Sequence, residues 1–279
     1  MKKDVSILIV HFNTPRLLRQ TLKGIFLMRT QVSFEVIVID NNPLMRVSEM
    51  IQKEFSEVKW IRSEKHLGFG GGMNLAMQHA VGRYLFVFNP DIILLDHVLD
   101  TLTVYMDGEN DVGLVAPRLS NPDHSLQYSC YTFMKPEIVL YRRLPFFSET
   151  TFAKKAIDTY LMKEWDHAEL RDVDYVLGAA MFVRRKAYED VGGFDPKFFV
   201  YFEDQDWCRR FWKASWRVVY YPKAELLHYH RRETASGGFM AQLLNPLTRI
   251  QMQSALYYFR KYRREKNPRE QFFLTTFHK

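Results

Sequence analysis

An α/β architecture, with a mainly parallel central sheet flanked by helices, follows from three features of this 279-residue chain. Short apolar runs rich in valine, isoleucine and aromatic residues recur at strand length. Segments of helical spacing alternate with them, the pattern of right-handed β-α-β units. One run, YLFVF at residues 84–88, is apolar throughout and ends in a polar turn, as a central strand covered on both faces does.

Taken in order, residues 5–10 form the first expected strand, and a helix follows over 15–28 with Pro15 near its start, where a missing N–H is no loss. Strands are expected at 34–39, 58–61, 84–88 and 112–115, with helices at 47–55 and 71–81 between them. From residue 172 the run VDYVLGAAMFVRR supplies a further strand. No internal repeat or disordered linker interrupts the pattern. Residues 1–235 read as one catalytic-size domain, divided into halves 1–117 and 118–235 with a helical insertion near 134–170, and 236–279 as a C-terminal helical extension rich in basic and aromatic residues.

With 47% hydrophobic and 25% charged residues and no low complexity, the chain is globular. No apolar run approaches the roughly 18 residues of a membrane span, and the opening MKKDVSILIVHFN enters a strand pattern without a small-residue cleavage site, so a cytoplasmic location is expected. Cys130 and Cys208 have neither the number nor the spacing of a disulfide framework or zinc site, and Cys208 reads as packing.

Three acids, Glu203, Asp204 and Asp206, directly follow the aromatic run FFVYF. If they open a helix, its dipole stabilises them, and a carboxylate there can take a proton from an incoming hydroxyl. The plainer reading is an acidic first helical turn with Asp206 paired to Arg210 four residues on. Asp91, in the Asn89-Pro90-Asp91 turn after YLFVF, lies where ligands of open α/β sheets bind, although Asn-Pro alone also initiates turns. Gly68, Gly70, Gly71 and Gly72 suggest a phosphate loop. Met73 stands where the dinucleotide fingerprint needs glycine, and no Gly-Lys-Ser or Gly-Lys-Thr is present, so a Rossmann dehydrogenase and a phosphate-loop triphosphatase are both disfavoured.

The segments VSILIVHFNT (5–14), FEVIVIDNN (34–42), HLGFGGGMN (66–74), NPD (89–91), GAAMFVRRKAYEDVGGFDPKFFVYFEDQDWCRR (178–210) and LLHYH (226–230), in this order, carry a resemblance. The chain resembles the family 2 glycosyltransferases, especially the rhamnosyltransferase-like branch of bacterial cell-surface polysaccharide and O-antigen assembly. The resemblance spans residues 4–235, with a variable stretch at 118–170. It implies a GT-A type fold and inverting transfer of a sugar, L-rhamnose from dTDP-rhamnose before UDP-hexoses, to a hydroxyl of a glycan or lipid-linked glycan.

Carried onto this chain, the resemblance makes His11, Phe12 and Asn13 the floor for base and ribose, and Asp40 the acceptor for the imide N–H of uracil or thymine. Gly68 and Gly70 open the helix bordering the sugar nucleotide, with Asn74 as its polar residue. Asn89, Pro90 and Asp91 occupy the place of the Asp-x-Asp motif, with Asn in first position. Asp91 and His228 would hold a divalent metal, Mg²⁺ or Mn²⁺; alternatively His228 or His230 is only a polar residue on a half-buried strand. Asp204 is the expected base and Glu203 the first alternative. Asp206 and Trp207 fall on the acceptor side, Asp206 with a structural role as the other option. The insertion, with Tyr141, Arg142, Arg143, Trp165 and His167, would line the same side. Two other classes stay open: a sugar-nucleotide-binding scaffold without catalysis, against which Asp91, Asp204 and His228 together argue, and a nucleotidyltransferase, whose glycine-rich basic loop is missing from residues 10–20.

Net charge is +7, concentrated at residues 257–269, YYFRKYRREKNPR. Arg260, Lys261, Arg263, Arg264, Lys266 and Arg269 among Tyr257, Tyr258, Phe259 and Tyr262 suit an anionic membrane surface, which would make the protein peripheral at the inner face of the cell membrane. A terminal helix packed by Leu256, Phe259 and Tyr262 explains the segment equally well. No motif supports nucleic acid as a partner.

Overall fold

The computed structural model describes residues 3–143, 149–229 and 245–277. Its first part runs β1 (Val5–His11), α1 (Pro15–Leu27), β2 (Phe34–Asp40), α2 (Glu49–Glu54), β3 (Lys59–Arg62), α3 (Gly68–Gln78) and β4 (Tyr84–Phe88). Then follow β5 (Ile92–Leu94), α4 (Val98–Gly108), β6 (Val112–Ser120), β7 (Leu126–Gln127), β8 (Cys130–Tyr131), α5 (Pro136–Arg143) and α6 (Thr151–Tyr160). The remainder comprises β9 (Arg171–Asp172), β10 (Tyr175–Val176), β11 (Ala180–Arg184), α7 (Arg185–Val191), α8 (Glu203–Lys213), β12 (Arg217–His228), α9 (Pro246–Lys261) and α10 (Pro268–Phe277).

The main sheet has the order β3-β2-β1-β4-β11-β6-β12-β5. β3, β2, β1 and β4 are mutually parallel, and β12 runs parallel to β6 over its longest pairing. β11 is antiparallel to both neighbours and β5 antiparallel to β12, so the sheet is mixed with its long pairings parallel. β7 and β9 extend β6 and β12, and β8 pairs with β10 apart from the main sheet. Successive residues of a strand face opposite sides. Ile7 and Ile9 therefore enter one core with Leu18, Leu22 and Phe86, while Leu8 enters the other with Ile37, Met73 and Val87. Both faces of the sheet are covered, which is why its central strands are apolar throughout.

The register sets His11 beside Asp40 and Asp40 beside Arg62, so the carboxyl ends of the first strands are level. α3 begins at Gly68, three residues before the expected start. The glycines hide this helix from a propensity argument, but close packing requires them. A Cβ on Gly68 would stand 2.1 Å from the Phe199 carbonyl oxygen, and one on Gly72 2.8 Å from Val10. Gly68 also has φ +71°, which glycine adopts without strain.

The expected boundary at residues 235/236, like His230, His278 and Lys279, lies outside the described residues. The part of the C-terminal extension that is described is built into the domain rather than appended. Ala255, Tyr258 and Tyr262 share a core cluster with Phe198 and Phe202, and Phe272 and Phe273 pack edge-on or tilted against Trp212.

Candidate active site

Four strand ends converge on one region. At the end of β1, His11 Nε2 accepts the Thr14 backbone N–H at 3.0 Å, which leaves the ring proton on Nδ1, 3.6 Å from Asp40 Oδ1. Burial lowers the His11 pKa against the pull of Asp40, so the ring is neutral. Asp40, at the end of β2, is buried; its Oδ2 accepts from Val47 N at 2.9 Å and its Oδ1 has no hydrogen bond. Asn13 holds a left-handed backbone (φ 56°), which Asn tolerates, and its side chain accepts from Asn42.

Phe12, 40% exposed, stacks on His66 at 4.1 Å, and His66 also touches the Phe199 ring at 4.8 Å. His66 Nδ1 accepts from Gly68 N at 3.1 Å. Asn41 fixes the same loop, accepting from Leu67 N at 2.9 Å and donating to Gly68 O at 2.8 Å. Neither Asn41 nor His66 was singled out from the sequence, although both lie inside the quoted segments IDNN and HLGFGGGMN. The signal was present; what it positioned was not visible.

Gly68 and Gly70 lie in the first turn of α3, as expected, and Asn74 follows on the same helix. The Asn74 amide accepts from Phe194 N and donates to Phe194 O, both at 2.8 Å, which clamps residue 194 onto α3. Gly68 and Gly70 are buried, with a Cβ on Gly70 standing 3.0 Å from Phe194. They bring α3 against the segment that leads to the three acids.

The Asn89-Pro90-Asp91 turn is pinned on three sides. Asn89 N donates to Ala179 O at 2.9 Å, Thr21 Oγ1 donates to Pro90 O at 2.7 Å, and Tyr229 N donates to Asp91 O at 2.9 Å. The last bond brings the end of β12 alongside, and His228 Nε2 lies 3.3 Å from Asp91 Oδ1 while Nδ1 meets Gln127 Oε1 at 2.6 Å. A second hydrogen bond of this kind orients metal-ligating histidines. Asp91 Oδ1 is buried without a hydrogen bond. This donor set, one carboxylate oxygen and one imidazole nitrogen, fits a divalent cation that takes its other ligands from phosphate and water. Among the described residues no group of three or more His, Cys, Asp or Glu is assembled for a metal.

Immediately before α8, Tyr201 and Phe202 both have positive φ, 70° and 69°, and turn the chain abruptly into the helix. Asp204 Oδ1 accepts from Gln205 N at 2.8 Å and Oδ2 from Gly178 N at 3.1 Å. Burial raises its pKa to about 6, against those two N–H groups. Gly178 precedes Ala179, the partner of Asn89, so the acid and the turn are two residues of backbone apart. Glu203 is 6% exposed, its Oε2 has no partner, and burial followed by the charges of Asp204 and Asp206 pushes its pKa well up.

Asp206 and Trp207, expected on the acceptor side, are enclosed by the protein's own side chains. Asp206 is fully buried and holds Arg210 Nε at 2.9 Å, Tyr262 OH at 2.7 Å and Lys261 Nζ at 2.5 Å. This includes the pairing with Arg210 weighed as the plainer reading. Trp207 is fully buried and donates to Gly192 O at 2.8 Å. His167 of the insertion is likewise buried, stacked on Trp165 at 4.2 Å, and Cys208 is a buried packing residue. The side chain of Arg143 lies outside the described residues. Tyr258 and Tyr262 are buried and cannot serve as interfacial aromatics, while Arg269 pairs with Asp174 at 2.7 Å. Among the described residues, no helix is long and apolar enough to cross a membrane.

Residues 3–252 match the model of a family described as glycosyltransferase like family 2. The chain is 26% identical over 220 residues to an N-acetylglucosaminyl-diphospho-decaprenol L-rhamnosyltransferase of Mycobacterium tuberculosis, covering 74% of this chain and 69% of that one. It is 26% identical over 213 residues to rhamnosyltransferase WbbL of Escherichia coli, covering 73% and 75%. Among solved structures, GalNAc-T7 with UDP, GalNAc and Mn²⁺ superposes with a TM-score of 0.61 at 14% identity, and Staphylococcus aureus TarS with 0.54 at 13%. These cover 83% and 81% of this chain but 45% and 36% of the neighbours, so the likeness concerns the fold of their shared part, the GT-A fold.

Proposed function

The chain belongs to glycosyltransferase like family 2 and is a glycosyltransferase, and on that premise we propose that it transfers L-rhamnose from dTDP-rhamnose, with inversion, to a hydroxyl of a lipid-linked glycan. Support for the donor comes from the two relatives named as rhamnosyltransferases. Support for the acceptor comes from the decaprenol diphosphate in the name of one of them.

The observation that carries the reading is the short backbone bridge between Asp204 and the Asn89-Pro90-Asp91 turn through Gly178 and Ala179. It joins a candidate proton acceptor to a candidate diphosphate site. Phe12 and Asn13 offer an exposed ring and amide for base and ribose, and Asp40 Oδ1 is the oxygen left for an imide N–H. Asp91 and His228 would hold a divalent cation, which when bound neutralises the charge that grows on the departing diphosphate. Asp204, ionised above pH 6 or so, accepts the proton of the acceptor hydroxyl as that oxygen attacks the anomeric carbon from the face opposite the diphosphate. Its two N–H donors fix the direction of the carboxylate. Glu203, without a counter-ion or hydrogen bond at Oε2, is the weaker candidate because a carboxyl so placed keeps its proton.

Incubation with dTDP-rhamnose, UDP-glucose, UDP-galactose and GDP-mannose, followed by release of nucleoside diphosphate, tests this. Preferential turnover of dTDP-rhamnose is expected. Preference for another sugar nucleotide would overturn the donor, and inertness towards all of them with retained nucleotide binding would favour the scaffold reading.

A further inference from the structure

Helix α9 has two faces of opposite character. Thr248, Ser254, Ala255 and Tyr258 are buried, and Ser254 Oγ donates to Val200 O at 3.0 Å. At about 100° per residue, Arg249, Met252, Leu256 and Arg260 fall on the opposite side. Met252 is 40% and Leu256 67% exposed, and the two arginines are exposed as well. No acid lies on this stripe. The neighbouring Glu265 is held by Lys213 Nζ at 3.1 Å on both carboxylate oxygens.

We propose that this stripe is the face by which the protein docks onto an anionic lipid bilayer. The proposal rests on the reading that the acceptor is lipid-linked, and it moves the contact away from the tyrosines of residues 257–262. An apolar pair flanked by arginines suits the boundary between acyl chains and headgroups: Met252 and Leu256 enter it while the guanidinium groups meet phosphate oxygens. The inner face of the same helix packs on residues 198–202, which lead directly into Asp204.

The test uses the full chain and vesicles of phosphatidylcholine with or without half phosphatidylglycerol, reading co-sedimentation with no turnover involved. The wild type should bind the anionic vesicles at least tenfold better than the neutral ones. Binding should weaken as salt shortens the screening length from about 8 Å at physiological ionic strength. Arg249→Glu/Leu256→Asp/Arg260→Glu should lose binding at least tenfold with its melting temperature unchanged, and Arg249→Gln/Arg260→Gln should show a smaller loss if the triple variant does not fold. Equal binding by folded variants, salt-insensitive binding, or tighter binding of mixed-sequence DNA through the same arginines overturns the proposal. A wild-type dimer abolished by the Leu256 change would also overturn it, assigning the stripe to a second copy of the chain. Thermal shift by dTDP in the same preparations reports separately on the functional reading, which can fail while docking stands.

Discussion

Asp204, Glu203 and Asp206 occupy one turn of helix yet have three different environments. Asp206 takes the available cations, Asp204 takes two backbone N–H groups, and Glu203 is left without a partner at Oε2. Because Asp204 must be ionised to accept a proton and burial raises its pKa to about 6, kcat should fall about tenfold per pH unit below that value and level off above it. The sign follows from the base being active in its deprotonated form. Glu203→Gln, which removes a carboxyl whose pKa burial pushes well up, should keep kcat within a few-fold and leave this profile in place. Loss of the acid limb in that variant would transfer the role to Glu203. At this scale the sequence was informative about which side chains carry chemistry and silent about their partners. The acidic cluster, Asp91 and His228 could be picked out, whereas Gln127 and Gly178 could not, because each meets its partner across 101 and 26 residues of chain.

Among the elements, the short apolar strands of the first half were the most legible, and β4 spans Tyr84–Phe88 as expected, whereas β12 (Arg217–His228), the longest strand, was not given a range. α3 was misjudged at its start because glycine disfavours helix locally, and only the contacts with Val10, Phe194 and Phe199 show why glycine is needed. α8 and α9 were each foreseen, but not their attachment. Lys261 bridges Asp195 at 2.7 Å and the fully buried Asp206, so the end of α9 clamps α8, the helix that presents Asp204. Lys261→Met should therefore destabilise the protein by about 2–4 kcal/mol in urea unfolding, since it leaves a buried carboxylate short of a partner. A change within about 0.5 kcal/mol would show that the clamp contributes little.

For the molecule as a whole, the parallel strands β1, β2 and β4 contribute His11, Asp40 and the Asn89-Pro90-Asp91 turn, and the later part of the chain contributes Asp204 and His228. This division predicts that donor binding and transfer can be separated. Chelation by EDTA should remove activity, and Asp91→Ala should weaken dTDP binding when Mn²⁺ is present but not in its absence; full activity in metal-free buffer would detach Asp91 and His228 from the reaction. The most direct test of the account is to measure, in one variant, both dTDP affinity and rhamnosyl transfer from dTDP-rhamnose. Asp204→Asn should leave the dissociation constant for dTDP within a few-fold of wild type while lowering kcat by about 10²- to 10⁴-fold. Near-normal turnover by that variant would contradict it.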